Sequence, residues 1–536
     1  MNESKFFWQA CRLLWMSGIL LVLISWGSDV PVSTAVSNIS YATTITVDSS
    51  RDVSTSLSER CDTHTPCTLR RAIVQARLLA PAARPVLIQF DIPTSDVGYD
   101  ASQELWELEV KSTTDPAVFR TVEGGQVTID GTTQPHGRVD GPKIILVGPA
   151  TGNKNGLIIG VNASGSHDNN IVRGLGFQNF KDHLTINSSH NTIEDNWFGL
   201  TSEGQQPYLR NDNPQDGSGS AGVVLISGAE QNLVQQNTFL AFDGVAIALR
   251  GNDNTVRHNQ IGTNALGLLT LKQTSPSLLC TPEDWLGGGG ISADGTGHLI
   301  EENIIAGLRQ QIFAISTQPD AIWVQSTCTS CTIQNNQVGV DAEGHEVGVC
   351  GRGFYLTNTK QVQVIDNVLA ETYHSALFLN GALYDANTLR GNIIRKSTPW
   401  LIPDDSPKGD DAILRFTGLP DPLEFFNPAK ITHIEGTTVS GTAGDGSPCP
   451  NCVIELFLDD NDNINEALES VAVVTAKADG TWSATLPTPL ADGFGLRTSS
   501  TTAQFNTIAN ISAGTTVGLS ELYMPGYVGY LPLITR

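Results

Sequence analysis

Two short hydrophobic patterns alternate along the middle of the chain, between about residues 155 and 416. The first is a strand-like alternation that opens on a small or turn residue. It occurs nine times: Gly156–Ile159, His183–Ile186, Gly222–Ile226, Gly244–Ile247, Gly290–Ser292, Ala321–Val324, Gly353–Leu356, Ala376–Leu379 and Ala412–Phe416. A period of two marks a half-buried strand, so nine occurrences predict about nine coils of a repeat. The second pattern follows a few residues later and reads Asn-x-apolar-x-x-Asn-x-apolar, as in Asn191–Phe198, Asn254–Ile261 and Asn387–Ile394. Looser copies run from Asn232 to Phe239, His298 to Ile304 and Cys331 to Val338.

The second Asn of this motif falls at 196, 237, 259, 303, 336, 367 and 392, at intervals of 41, 22, 44, 33, 31 and 25 residues. The base period is therefore close to the shortest interval. Most of the excess sits in insertions that open alike, at Phe198–Gly204, Ile261–Gly267 and Val338–Gly344. A β-propeller needs about 40 residues and four strands per blade, which this period does not supply. A stack of coils does fit, each burying its alternating apolar residues and pairing its backbone with the next. Asn at the same corner of successive coils can hydrogen-bond its counterpart above, so these Asn residues read as architecture.

The repeats resemble the pectin-lyase-like right-handed parallel β-helix superfamily, an all-β solenoid. Cys67–Ile73 (Cys-Thr-Leu-Arg-Arg-Ala-Ile) is similar to the Cys-Ser-Leu-Arg-Glu-Ala signature that precedes such helices in a group of exported bacterial proteins, with Arg71 in place of the signature Glu. Val127–Pro135 and the Ile-Gly-Thr insertion resemble further hallmarks of that group. The resemblance spans roughly residues 43 to 416 and implies a fold and export more than a reaction. An exposed first coil would leave an open core and an unpaired edge. Leu69, Ile73 and Ala76, with Thr68 ahead of them, predict a capping helix over 68–79.

Lys5 and Arg12 precede an apolar run from Leu13 to Trp26 and a small-residue stretch, Ser33 to Ala35, so residues 1–35 read as a signal peptide. An uncleaved anchor is the rival, although the run is shorter than the ~20 residues a spanning helix needs. Removing Cys11 with the signal leaves eight cysteines, expected as the disulfides Cys61–Cys67, Cys280–Cys350, Cys328–Cys331 and Cys449–Cys452 in an exported protein. A four-cysteine zinc site from Cys280, Cys328, Cys331 and Cys350 is the sharper alternative, but only one close Cys-x-x-Cys pair supports it. No metal centre is assigned. The net charge of −24 with scattered basic residues argues against a nucleic-acid partner. Membrane contact is expected only through an anchor, and a monomer is expected.

The division that follows is cap and first strands over 36–125, β-helix repeats over 126–419 and a proline-punctuated linker over 420–430. Longer strands separated by turns then predict a sandwich of about seven strands over 431–523, resembling an immunoglobulin-like module, before a tail over 524–536. Asp459 to Asn463 is an acidic turn and a candidate for calcium, but it lacks the Gly and distal Glu of an EF-hand. A solvated turn is the plainer reading.

Two functions compete. Alternation assigns His183, Thr185, Ala246, Ala248 and Arg415 to the outer face, with Trp323, Gln325, Tyr355, Thr357, Phe378 and Asn380 as a glycan-binding strip from three consecutive coils. No carboxylate falls on these positions. That favours a non-catalytic platform for an extracellular polysaccharide or surface glycan. The alternative is a polysaccharide lyase or glycoside hydrolase, which needs two carboxyls or a base with a cationic partner. Its candidates are Asp182 and Asp243 at turns two coils apart, with His183 beside the first and Glu371 near His374.

Overall fold

A computed structural model describes residues 39–525 except 54–55, 57, 112–116, 162–166, 209–220, 241, 243, 270–288, 309–318, 373–374, 382–385, 398–411, 417–425, 444–448, 463 and 506–510. The N-terminal segment read as a signal peptide, Cys280, Asp243, His374 and most of the C-terminal tail lie outside the described residues. Among the described residues no helix is long and apolar enough to cross a membrane.

The chain winds into a right-handed parallel β-helix of three sheets, one with nine strands and two with eleven. One coil shows the plan: Asp182–Ile186 joins the nine-stranded sheet, Thr192–Glu194 the first eleven-stranded sheet and Trp197–Phe198 the second. The nine apolar bursts of the sequence are the nine strands of that first-named sheet. The first eleven-stranded sheet begins well upstream of them, with Thr43–Val47 pairing to Val86–Phe90 and then to Val127–Asp130.

Every coil drives the inward side chains of its strands into a common core. In the nine-stranded sheet the inward register runs Leu184, Val223, Ile247, Ile291, Ile322, Phe354 and Leu377, all buried. On the second eleven-stranded sheet Phe177, Phe198 and Phe239 stack with ring centroids 4.9 and 4.8 Å apart, the spacing of the coils themselves. Burying one such ring stabilises the fold by about 1.5–3 kcal/mol, and continuity from coil to coil makes the contribution cooperative.

The predicted asparagine corner is a complete ladder. Asn196, Asn237, Asn259, Asn303, Asn336, Asn367 and Asn392 are all buried, and each Oδ1 from Asn237 onward accepts from the backbone N–H and the side-chain amide of the Asn one coil earlier, at 2.9–3.1 Å. The first Asn of the motif makes a second ladder through Asn170, Asn191, Asn232 and Asn254. His298 takes the next rung, its Nδ1 accepting from the Asn254 N–H. The insertions stack as well: the Ala265 N–H donates to the Gly204 carbonyl and the Ala342 N–H to the Gly267 carbonyl.

The amphipathic helix Leu69–Leu78 covers the first coil, with Thr68 as its N-cap accepting from the Arg71 N–H. Arg71, in the place of the signature Glu, pairs with Glu59 and donates to the Pro66 carbonyl. At the other end stand two three-stranded antiparallel sheets, six strands among the described residues where about seven were expected. They hold the last coil directly. Ala467 exchanges backbone bonds with Ile394, Thr516 N–H donates to the Asn387 carbonyl, and the Gly391 N–H donates to Glu455. Cys449, Cys452, Phe457 and Val517 belong to the same buried cluster as the solenoid interior. An unpaired strand edge is a liability, and this docking closes it.

Candidate functional site

The nine-stranded sheet turns Trp323, Tyr355 and Phe378 outward on three consecutive rungs, in direct register. Their inward neighbours Ile322 and Val324, Phe354 and Leu356, and Leu377 and Leu379 are buried as the alternation requires. All three aromatics are half-buried. Coil spacing brings equivalent rings into contact with one another. Trp323 and Tyr355 are parallel with centroids 6.0 Å apart, and Tyr355 and Phe378 are tilted at 5.3 Å. The strip is thus a ridge of rings in contact on one face, Trp323 stacked on Tyr355 and Phe378 tilted against it.

Polar groups along the ridge are tied to it. Trp323 Nε1 donates to Thr357 Oγ1 at 3.1 Å, and Asn380 Nδ2 donates to the Tyr355 hydroxyl at 2.7 Å. Gln325 Nε2 donates to Ser292 Oγ at 3.0 Å. These bonds fix the rotamers while leaving each amide and hydroxyl further hydrogen-bonding capacity. On the coil before Trp323 the equivalent position is Ser292, and before that Ala248, so the ridge ends in a step at the indole.

Sequence reasoning missed the group that holds the ridge. Arg352, one turn ahead of Tyr355, lays its guanidinium 3.5 Å from the Tyr355 ring centroid and 5.0 Å from that of Phe378. Its other side makes a two-pronged pair with Asp320, at 2.7 and 2.8 Å. Burial pushes the Asp320 carboxyl upward, and the hydrogen bonds and charge of Arg352 pull it back. A signal was present: both residues sit just before an apolar burst, at the same turn of neighbouring coils.

Of the expected acid–base candidates, His183 is taken into the core. His183 points inward, 4% exposed, with its ring edge-on to Phe177, Phe180, Phe198 and Phe242. It lies where the strand bends out of the preceding turn, and there two successive residues, His183 and Leu184, both face the core. The outward assignment of Ala246 fails in the same way, since that residue is 1% exposed within the core. Arg415 aligns in backbone register with Leu379. Asp182 aligns with Ala221 and then Val245, and Asp243 lies outside the described residues. Glu371 pairs with Lys396 at 3.7 Å.

Disulfides join Cys61 to Cys67, Cys328 to Cys331 and Cys449 to Cys452. Cys350 is also disulfide-bonded. The Cys328–Cys331 bond removes two thiolates from the zinc alternative. In the acidic turn Asp459 is committed to Arg497, leaving Asp460 and Asp462, whose oxygens lie within 4.8 Å of one another and of buried Glu466. Burial lifts the Glu466 carboxyl to about 7.

The sequence matches no protein-family model and no curated protein. Among solved structures the chain is similar to the DFA-IIIase of Arthrobacter chlorophenolicus A6 in complex with GF2, at 10% identity and a TM-score of 0.37, over 70% of this chain and 85% of that one. It is also similar to a mutant tailspike protein of E. coli bacteriophage HK620 in complex with a pentasaccharide, at 12% identity and a TM-score of 0.32, over 77% and 80%. Pectate lyase C of Erwinia chrysanthemi matches at 12% identity and a TM-score of 0.23, over 66% and 76%.

Proposed function

We propose that this chain is a secreted or cell-surface glycan-binding protein that holds an extracellular polysaccharide along the outer face of the nine-stranded sheet without cleaving it. One observation carries the reading: the half-buried ridge of Trp323, Tyr355 and Phe378, each ring in contact with the next and edged by Gln325, Thr357 and Asn380. An indole at the end of a ridge can take the apolar face of a sugar ring, and the flanking amides and hydroxyl can meet its hydroxyls. Binding without cleavage is supported by the acid beside the ridge and by the one expected imidazole. Asp320 is neutralised by Arg352, and His183 is enclosed in the core. Export is supported by the N-terminal apolar run and the disulfides.

The test is to screen the mature protein against acidic and neutral glycans for retention and for release of reducing or unsaturated ends. Retention without release is the expected result. Release of ends that persists in purified protein would replace this reading with a lyase or hydrolase.

A further inference from the structure

The second eleven-stranded sheet carries a cavity of about 500 Å³ on its outer side, in the size range of small-ligand sites. Its origin is a large–small–large column. Trp197, Thr238 and Gln260 occupy the same outward register on three successive coils, and Thr238 leaves a hollow between the other two. Asp195, Gln236 and His258 form the rim. Each immediately precedes a ladder asparagine and takes a left-handed conformation, with φ of 55°, 55° and 53°. The following Asn turns inward, and the corner residue is left projecting from the coil.

Trp197 is held rigidly. The Arg138 guanidinium stands 4.9 Å from its ring centroid. Gly141 and Gly204 press on the indole so closely that a Cβ at either would come within 2.3 or 2.4 Å of it. Several polar groups at the hollow, by contrast, carry no hydrogen bond among the described residues. Gln260 Oε1 is buried and has no hydrogen-bond partner among the described residues. Trp197 Nε1 and the side chains of Asp195 and Gln236 make no hydrogen bond with any described residue.

The charge of the wall selects among ligands. Lys143 Nζ donates to the Gln134 carbonyl, and His258 faces Glu302 at 3.0 Å. Burial first, and then the charge of neighbouring Glu194, raises the Asp195 carboxyl above the ordinary range against the opposing pull of Arg173. An anionic sugar would meet the Asp195 and Glu194 carboxylates here, with Arg173 and Lys143 as the opposing charges. We propose that this cavity binds a single neutral hexopyranose unit, with its apolar face against Trp197 and its hydroxyls on Asp195, Gln236 and Gln260. The site lies on a different sheet from the aromatic ridge and is independent of it.

The test titrates wild-type protein and the Trp323→Ala variant with the methyl glycosides of glucose, galactose and mannose and with methyl glucuronide, read by ligand-observed NMR. At least one neutral glycoside is expected to bind both proteins alike, and the glucuronide more weakly. Trp197→Ala risks misfolding because the indole is wedged, so the deciding variants are Asp195→Ala and Gln260→Ala. Each should weaken that glycoside about tenfold at an unchanged melting temperature. Failure of all three neutral glycosides to bind, preference for the glucuronide, or affinity unchanged in both variants would overturn the assignment.

Discussion

The asparagine ladder and the aromatic ridge run along the same solenoid, one turned inward and the other outward, and they differ in how far they extend. The ladder is unbroken through Asn196, Asn237, Asn259, Asn303, Asn336, Asn367 and Asn392 because every coil must turn the same corner and satisfy the same buried backbone groups. The ridge occupies three coils and then gives way to Ser292 and Ala248. Nothing in the stacking of coils demands three outward aromatics in register. A feature required by every repeat reads as architecture, and a feature confined to a few repeats reads as use.

That contrast can be broken most forcefully at the ladder. Asn259 accepts from Asn237 and donates to the Val234, Arg257 and Asn303 oxygens. Asn259→Ala orphans several of these groups and should cost about 3–5 kcal/mol in urea unfolding. Arg352→Ala sharpens the comparison from the other side. It strands buried Asp320 and should cost about 3 kcal/mol while loosening Tyr355 and Phe378, visible as lost near-ultraviolet dichroism.

A smaller effect is expected at His298, which fills an asparagine rung and whose pKa is lowered, chiefly by burial. Between its depressed folded value and the ordinary value near 6.5, the unfolded chain holds more protons than the folded one. Stability contributed by neutral His298 is therefore present above that window and lost as pH falls through it. His298→Asn, which completes the rung, should reduce the difference in melting temperature between pH 7.5 and pH 5. The smallest stability effect, about 1 kcal/mol, is expected for half-buried Trp323→Ala.

The same contrast explains what could be read from the residues. The ladder and all nine strands of one sheet were legible because a period of about 22 residues forces equivalent side chains into equivalent places. His183 was misread because strict alternation fails where a strand leaves its turn, and an imidazole edge packs well among Phe177, Phe198 and Phe242. The Arg352–Asp320 brace and the Trp197 hollow were missed because each joins residues from different coils. Their positions in the motif were nonetheless fixed, since Asp195, Gln236 and His258 all stand one residue before a ladder asparagine.

The most direct test of the central claim is a paired measurement on Trp323→Ala: affinity for the glycan retained by the wild type, and melting temperature in the same buffer. The outward ridge as a binding surface predicts affinity lowered about tenfold or more with a shift of only a few degrees. A large drop in melting temperature with affinity unchanged would contradict it and assign the ridge to the architecture of the solenoid.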